Sequence, residues 1–399
     1  MNVASLSAAA GPSLNPAFAA RFWRAFWPRL VLSAVFAGIG FLGPGGDPQA
    51  YHVLGRYLSK LWADPVHANL PQIEVEEGSE PLEALYSLHL RNVEAFSRPE
   101  TVGQYLNTVM PVVFIHALVY ELWDHPAAFP LANCILSALA VASASQGFRL
   151  SVREQFWLNW NPVSLFYAAT HFKESLTESI VLCFTTATFT QTGLWAALFW
   201  TAIMALFRLS FAGVFAAILF LERTGIGRCN PWSLSFWVFA GFAVAPDIHA
   251  GALDVESGGV FGTICSTSFG RKLLAPAAGM LLPLPFQFLM VRGVVDAWTA
   301  FSSVYGVFYY GVWVGIWRTA RGLDACSEAR RLVNAGLLVS LLMGYLFLGG
   351  PGVKDRYFSP FLPLLVLGWL RAKALPYSKA RGGEIGLPWG GRCEKTGET

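Results

Sequence analysis
Apolar runs close to the length of a bilayer recur along this chain, and they constrain its fold more than any other feature. "LVLSAVFAGIGFL" at 30–42 and "WAALFWTAIMALF" at 195–207 are two of them. A helix needs about 20 apolar residues to cross the hydrocarbon core. Further candidates lie at 105–122, 128–147, 155–170, 176–195, 196–221, 232–246, 273–290, 297–317, 332–349 and 357–370. With the first run, at 25–43, length and hydropathy give on the order of nine to eleven spans. Only 13% of the residues are charged, roughly half of what a soluble domain carries. The runs do not alternate, which excludes a transmembrane β-barrel. The expected fold is all-α, a polytopic transmembrane helical bundle.

Charge sets the expected sidedness. Residues 1–30 hold three arginines and no acid, 318–331 hold four arginines, and 371–399 hold six Lys or Arg. The positive-inside rule places these segments in the cytoplasm. Residues 44–104 carry nine Asp or Glu against four Lys or Arg, and lie outside if 25–43 spans. Stretches such as "PLEALYSLHLRNVEAFS" there suggest short interfacial helices. The organisation expected is a cytoplasmic segment at 1–24, a multi-span catalytic domain at 25–370 with 44–104 as its external loop, and a cytoplasmic basic tail at 371–399. The first run follows Arg21, Arg24 and Arg29 with no small-residue cleavage site, so it reads as a retained span. Parity is open in the middle. If 105–122 only dips into the outer interface, Arg149 and Arg153 fall inside and Lys173 outside, the arrangement the positive-inside rule favours.

Ionisable residues at membrane depth cost about 2.5–3.5 kcal/mol or more each, so they mark places where compensation is expected. Asp47 follows the first span on a Gly-Pro-Gly-Gly turn, with Tyr51 one helical turn on if Pro48 opens a helix. Asp47 suits an N-cap, and a cap can also serve as a base. Lys173 and Glu174 interrupt "NPVSLFYAATHFKESLTESI" at 161–180, with Glu178 one turn beyond Glu174 and within reach of Lys173 or His171. A snorkelling lysine at a helix end is the plain alternative. Arg208 sits mid-run and needs an internal anion or a phosphate; structural pairing and ligand binding are equally open. Lys354, Asp355, Arg356 and Tyr357 precede the last span. Lys354 and Arg356 suit a phosphate, and Asp355 neutralising a neighbour in a plain loop is the rival.

Familiar signatures are absent. There is no phosphate-binding glycine loop, no HxxxH or HExxH pair, and no basic-aromatic patch for nucleic acid. The six cysteines are scattered without CxxC spacing, as expected of small apolar helix residues. His116 and His249 read as satisfied histidines.

In order along the chain, "GDPQAYHVLGRYL" after the first run, "NPVSLFYAATHFKES" and "DRYFSPFLPLLVL" resemble segments of the polytopic GT-C glycosyltransferase superfamily. The similarity is greatest to bacterial relatives of protein mannosyltransferase and lipid-A aminoarabinose transferase, and "LLPLPF" at 281–286 also resembles a segment in some of them. Two departures stand out: the second acidic position is Glu174 rather than Asp, and the first external loop lacks a clear Asp-Glu pair. The resemblance implies an integral membrane glycosyltransferase of the bacterial inner membrane. It would move a sugar from a polyprenyl-phosphate donor to an envelope lipid, glycan or protein on the external face. It implies Asp47 as base or acceptor-orienting group, Glu174 as the second acidic position, and Lys173 and Arg356 near the lipid phosphate, with Tyr51, Arg208, Lys354 and Tyr357 as further substrate-binding candidates. No cofactor is required by the residues, and a divalent metal stays open. The partners expected are the donor, the acceptor and membrane lipids. Rival expectations are an O-antigen or exopolysaccharide polymerase and a lipid-linked-sugar flippase. A flippase should show repeated halves and a central charged path, and neither is visible.

Overall fold
Proline, glycine and arginine positions decide where the helices stop. The computed structural model describes residues 15–41, 51–52, 55–56, 58–60, 110–190, 193–244, 297–320, 327–347 and 358–380. All regular structure among the described residues is helical, with no strand. The chain divides into two units, 1–192 and 193–399.

In the first unit, α1 (Pro16–Gly38) opens with Asn15, whose side chain accepts from the Ala17 N–H, and with Pro16 at its first position. Asparagine as cap and proline at N1 are favoured start chemistry. It begins earlier than the apolar run at 25–43. Helices α2 (Met110–Leu122) and α3 (Ala128–Gly147) follow. The second of these matches the expected run at 128–147 to the residue. It is rich in Ala and Ser, and packs closely against α1 and a later helix, α6 (Glu174–Phe189).

The run expected at 155–170 is not one helix. It is α4 (Val152–Asn159), started by a reciprocal Ser151–Glu154 capping box, and α5 (Pro162–Ala168), capped by Asn161. Pro162 disfavours helical backbone at the residue before it, and Asn161 is extended at ψ 113°. At 1.5 Å per residue neither piece exceeds about 12 Å, well short of a bilayer core.

In the second unit, the run at 196–221 is likewise broken into α7 (Leu194–Phe207) and α8 (Leu209–Arg223). A 3₁₀ turn at Ile226–Arg228 leads to α9 (Pro231–Val244), and α10 (Ala297–Ala320) and α11 (Glu328–Phe347) come later. Another 3₁₀ turn, Ser359–Phe361, starts α12 (Leu362–Ala380). The α11 helix packs on α8, α9 and α12. Its Asn334 amide donates to the Gly227 and Cys229 carbonyls at 2.8 and 2.9 Å, tying down the first 3₁₀ turn. Arg331 pairs with Glu222 at 2.9 Å and Arg371 with Glu328 at 3.0 Å. The candidate run at 273–290 lies outside the described residues.

Among the described residues, one helix, Ala128–Gly147, is long and apolar enough to cross a membrane by length and composition. Each unit has a mostly apolar interior that also holds polar side chains, while large apolar side chains stand on its surface. Glu174, His116, Asn133 and Arg29 are wholly buried in the first, and Asn334 in the second. Trp195 and Trp232 stand 83% and 82% exposed, and Trp27, Val31 and Val35 form an exposed stripe on α1. Exposed single apolar residues are ordinary in soluble proteins, whereas buried polar ones beneath apolar faces are informative.

Candidate functional site
The segment between α5 and α6 holds the most concentrated chemistry in the first unit. Residues 169–173 carry His171 and Lys173, and the backbone there is clamped from α3. The Asn133 amide, fully buried, donates to the Thr170 carbonyl at 2.9 Å and to the Phe172 carbonyl at 3.4 Å. Lys173 is the cap residue of α6, where its carbonyl accepts from Thr177 N–H at 3.0 Å and from Thr177 Oγ1 at 3.1 Å. Its Nζ lies 5.8 Å from the centre of the Tyr51 ring, within the range of a cation–π contact. Glu174 is the first residue of α6, so adjacent residues of opposite charge are both buried at the start of one helix.

Three histidines meet beside this segment. The His171 ring lies 5.2 Å from His52 and 5.8 Å from His116, which stacks on Phe129. His116 donates from Nδ1 to the Val112 carbonyl one turn back, at 2.9 Å. His52 is hydrogen-bonded to the Tyr120 hydroxyl. Both His171 ring nitrogens are buried and make no hydrogen bond of ordinary geometry. Burial drives its pKa down to about 3, with His52 adding to the shift. Burial, then the neighbouring Arg56, lowers His52 to about 4. Both rings are therefore neutral at physiological pH.

The helical residues between Tyr51 and Lys60 reach this cluster because they dock on α2. His52 bonds Tyr120, Arg56 makes a two-pronged contact to Asp124 at 2.6 and 3.1 Å, and Ser59 donates to Glu121 at 3.2 Å. Gly55 sits at the crossing. A Cβ there would overlap the His116 Cβ and crowd its carbonyl carbon at 3.3 Å. The Arg56 guanidinium holds Asp124 below the usual carboxylate range.

Glu178 takes a different partner from those expected of it. It accepts from Ser164 Oγ of α5, inside the packing of α5 on α6. Arg29 of α1 donates to Ser137 Oγ at 2.8 Å, to the Ala25 carbonyl at 2.7 Å and to the Asn159 carbonyl at 3.4 Å. These two buried ionisable groups form no ion pair with each other.

Arg208, expected within a continuous run, sits at a break instead. Its backbone is extended, at φ −156° and ψ 99°, and it ends α7 and begins α8. Its N–H donates to Met204 at 2.7 Å while its carbonyl accepts from Phe211 and Ala212 at 3.0 and 3.1 Å. The guanidinium lies 4.8 Å from the Phe211 ring centre and is buried. Of the other sequence candidates, Asp47, Lys354, Arg356 and Tyr357 lie outside the described residues.

The structure thus brings Tyr51, Lys173 and Glu174 together, and adds His52, His116, His171, Tyr120 and Asn133 to them. Asn133, not singled out in the sequence, and His116, read there as a satisfied histidine, are polar residues inside apolar runs, a signal that could have marked them; His52 and Tyr120 carry no such signal. His116 and His171 lie face to face at an interplanar angle of 23°, and His52 meets His171 edge-on at 72°. Among the described residues no group of three or more His, Cys, Asp or Glu is arranged to hold a metal ion. Chemically, the site offers one buried ammonium, one buried carboxyl group and neutral imidazoles against aromatic walls. No protein-family model matches the chain, and no curated protein or solved structure matches it either.

Proposed function
We propose that the protein is a polytopic membrane glycosyltransferase that moves a sugar from a polyprenyl-phosphate donor to an envelope lipid, glycan or protein on the external face. The observation that carries this reading is the buried Lys173–Glu174–histidine cluster inside a helical body whose exposed faces bear Trp, Phe, Leu and Val. A buried charge costs several kcal/mol even after relaxation, and placing one at membrane depth calls for a function. The break of an apolar run at Arg208 adds to it, since interrupted helices in membrane proteins line sites rather than face lipid.

In this reading Asp47 removes the proton of the acceptor hydroxyl as the acceptor oxygen attacks the anomeric carbon. The bond from that carbon to the phosphate oxygen breaks, and the bonding pair leaves with the polyprenyl phosphate. The Lys173 ammonium neutralises the charge that grows on the leaving phosphate, the kind of preorganised stabilisation that lowers such barriers most. Glu174 is the second acidic position, and Tyr51 positions the lysine through its ring. Arg356 is the other cation expected near the lipid phosphate, and Arg208 is a further phosphate-binding candidate.

The test is sugar transfer from a polyprenyl-phosphate sugar extract to envelope acceptors, with protein in nanodiscs and thermal stability measured on the same samples. Asparagine caps a helix about as well as aspartate, and Asp47→Asn is expected to lower turnover by roughly 10² to 10⁴, the range for a positioned general base. Lys173→Met is expected to lose turnover with folding retained. Parent-like turnover in Asp47→Asn would move the base to Glu174. No transfer by the parent from any polyprenyl-phosphate sugar would remove the reading.

A further inference from the structure
An apolar groove of about 410 Å³ runs along the exposed side of α1 in the first unit. Trp27, Val31 and Val35 form one wall, and Trp160 and Leu165, flanking the α4–α5 break, form the other. From Trp27 to Val35 the groove extends about 12 Å along the helix, close to the roughly 15 Å depth of one bilayer leaflet.

One end of the groove is basic. Arg24 lies three residues before Trp27 and so shares its face, one turn beyond the groove. On α4, Arg153 precedes Trp157 by one turn and Trp160 by two. The two helices are aligned at this end, because Gln155 donates to the Arg21 carbonyl at 2.9 Å. Arg21 in turn donates to the Ser145 and Leu150 carbonyls at 3.1 and 2.8 Å. Arg24 and Arg153 are exposed and make no ion pair among the described residues. The nearest acid on α4, Glu154, is occupied by Ser151 at 2.7 and 2.8 Å. Trp23 and Trp27 of α1, Phe156 of α4 and Trp160 at its end are exposed, and Trp is the residue enriched in a headgroup-level aromatic belt.

We propose that this groove and its basic end bind an anionic diacyl phospholipid, one acyl chain in the groove and the headgroup phosphate at Arg24 and Arg153. The proposal rests on the membrane reading above and concerns a separate site. A second copy of the chain is a poorer occupant. In a twofold membrane dimer built on α1 the same arginines would meet at one depth and repel, whereas a phosphate neutralises them. Each arginine near an anionic headgroup contributes about 1 kcal/mol, or roughly fivefold in binding.

The experiment uses the full chain, extracted in mild detergent and titrated with phosphatidylglycerol or phosphatidylcholine while bound lipid is counted by native mass spectrometry. The parent is expected to prefer phosphatidylglycerol, and an Arg24→Gln, Arg153→Gln double variant to lose about thirtyfold of that preference. A Val31→Trp variant, which fills the groove, is expected to release both lipids. An unchanged preference in the double variant, or a lipid-free dimer as the dominant species, would overturn the site. Alkaline carbonate extraction of membranes separates the two ideas. A chain that stays in the membrane with unaltered lipid preference loses only the site, and a chain released by carbonate loses the membrane reading as well.

Discussion

Asn133 is the residue through which the candidate site can be loosened without touching any ionisable group. Its amide donates to two carbonyls of the loop, Thr170 at 2.9 Å and Phe172 at 3.4 Å, and its own Oδ1 has no partner. Two acceptors at one NH₂ fix the orientation of the amide. Asn133→Leu keeps the branch at Cγ and removes both donors. Stranding a buried acceptor costs about 1–3 kcal/mol. The shorter bond should supply most of that and the longer one less, while losing the unpartnered Oδ1 gives part of it back. The net expectation is a loss of roughly 1–3 kcal/mol, which for a unit near 190 residues is about 3–10 °C in melting temperature. Asn133→Asp changes little in volume but turns the donor into an oxygen facing two carbonyl oxygens. It should be at least as damaging at neutral pH and partly relieved on acidification, when a protonated carboxyl can donate. Thermal unfolding in detergent, followed by tryptophan fluorescence, reads both variants, and transfer activity reads the loop that carries His171 and Lys173. If Asn133→Leu melts within a degree of the parent and keeps its activity, the amide is not what holds this loop.

Gly55→Ala should destabilise by about 1–3 kcal/mol, the usual cost of overpacking, because its Cβ meets the His116 Cβ. Gly213→Ala on α8, where a Cβ meets nothing within 4 Å, should be neutral or slightly stabilising; equal melting of the two variants would refute the close crossing. The depressed histidines predict an acid limb. With native values near 4 for His52 and 3 for His171, the unfolded chain binds more protons below pH ~6.5. Stability is then full above about 6.5 and falls as pH drops toward the native values, by roughly 1.4 kcal/mol per pH unit for each histidine. A His52→Gln, His171→Gln double variant should make that limb shallower in pH-dependent melting, and an unchanged limb would exclude the two rings as contributors. Arg208→Lys keeps the charge but loses the planar fork, so binding of a polyprenyl-phosphate sugar should weaken several-fold. Unchanged affinity in both Arg208→Lys and Arg208→Met would remove Arg208 from ligand binding.

Helix content could be read from hydropathy because length and composition are local properties. Ala128–Gly147 was legible to the residue for that reason. The breaks were harder. "WNPVSLF" contains the Asn-Pro pair that ends α4 and starts α5, yet a hydropathy window averages over it. Arg208 was legible as a costly residue but not as a helix boundary, since nothing in the flanking "MALF" and "LSFAG" breaks a helix. The partnerships of the site were not legible, because they join residues far apart in sequence. Asn133 meets its loop 37 and 39 residues away, and His52 meets Tyr120 across 68. Sequence spacing instead suggested Lys173 or His171 for Glu178, and packing gave it Ser164.

Two of the sequence candidates nevertheless share a location that a mid-span expectation misses. Lys173 caps α6, and Arg208 lies between α7 and α8. Backbone N–H and C=O groups freed at a helix end carry a cost in hydrocarbon of the same origin as a charged side chain's, and irregular backbone survives there only where protein or water replaces lipid. An arginine or lysine is therefore most tolerable where the helix has already stopped, because protein or water already replaces lipid there. The same place is where a phosphate could be met by fixed donors. A charged residue within an apolar run is on this argument a signal of where the run is interrupted, and the interruption is what makes the charge available to a ligand.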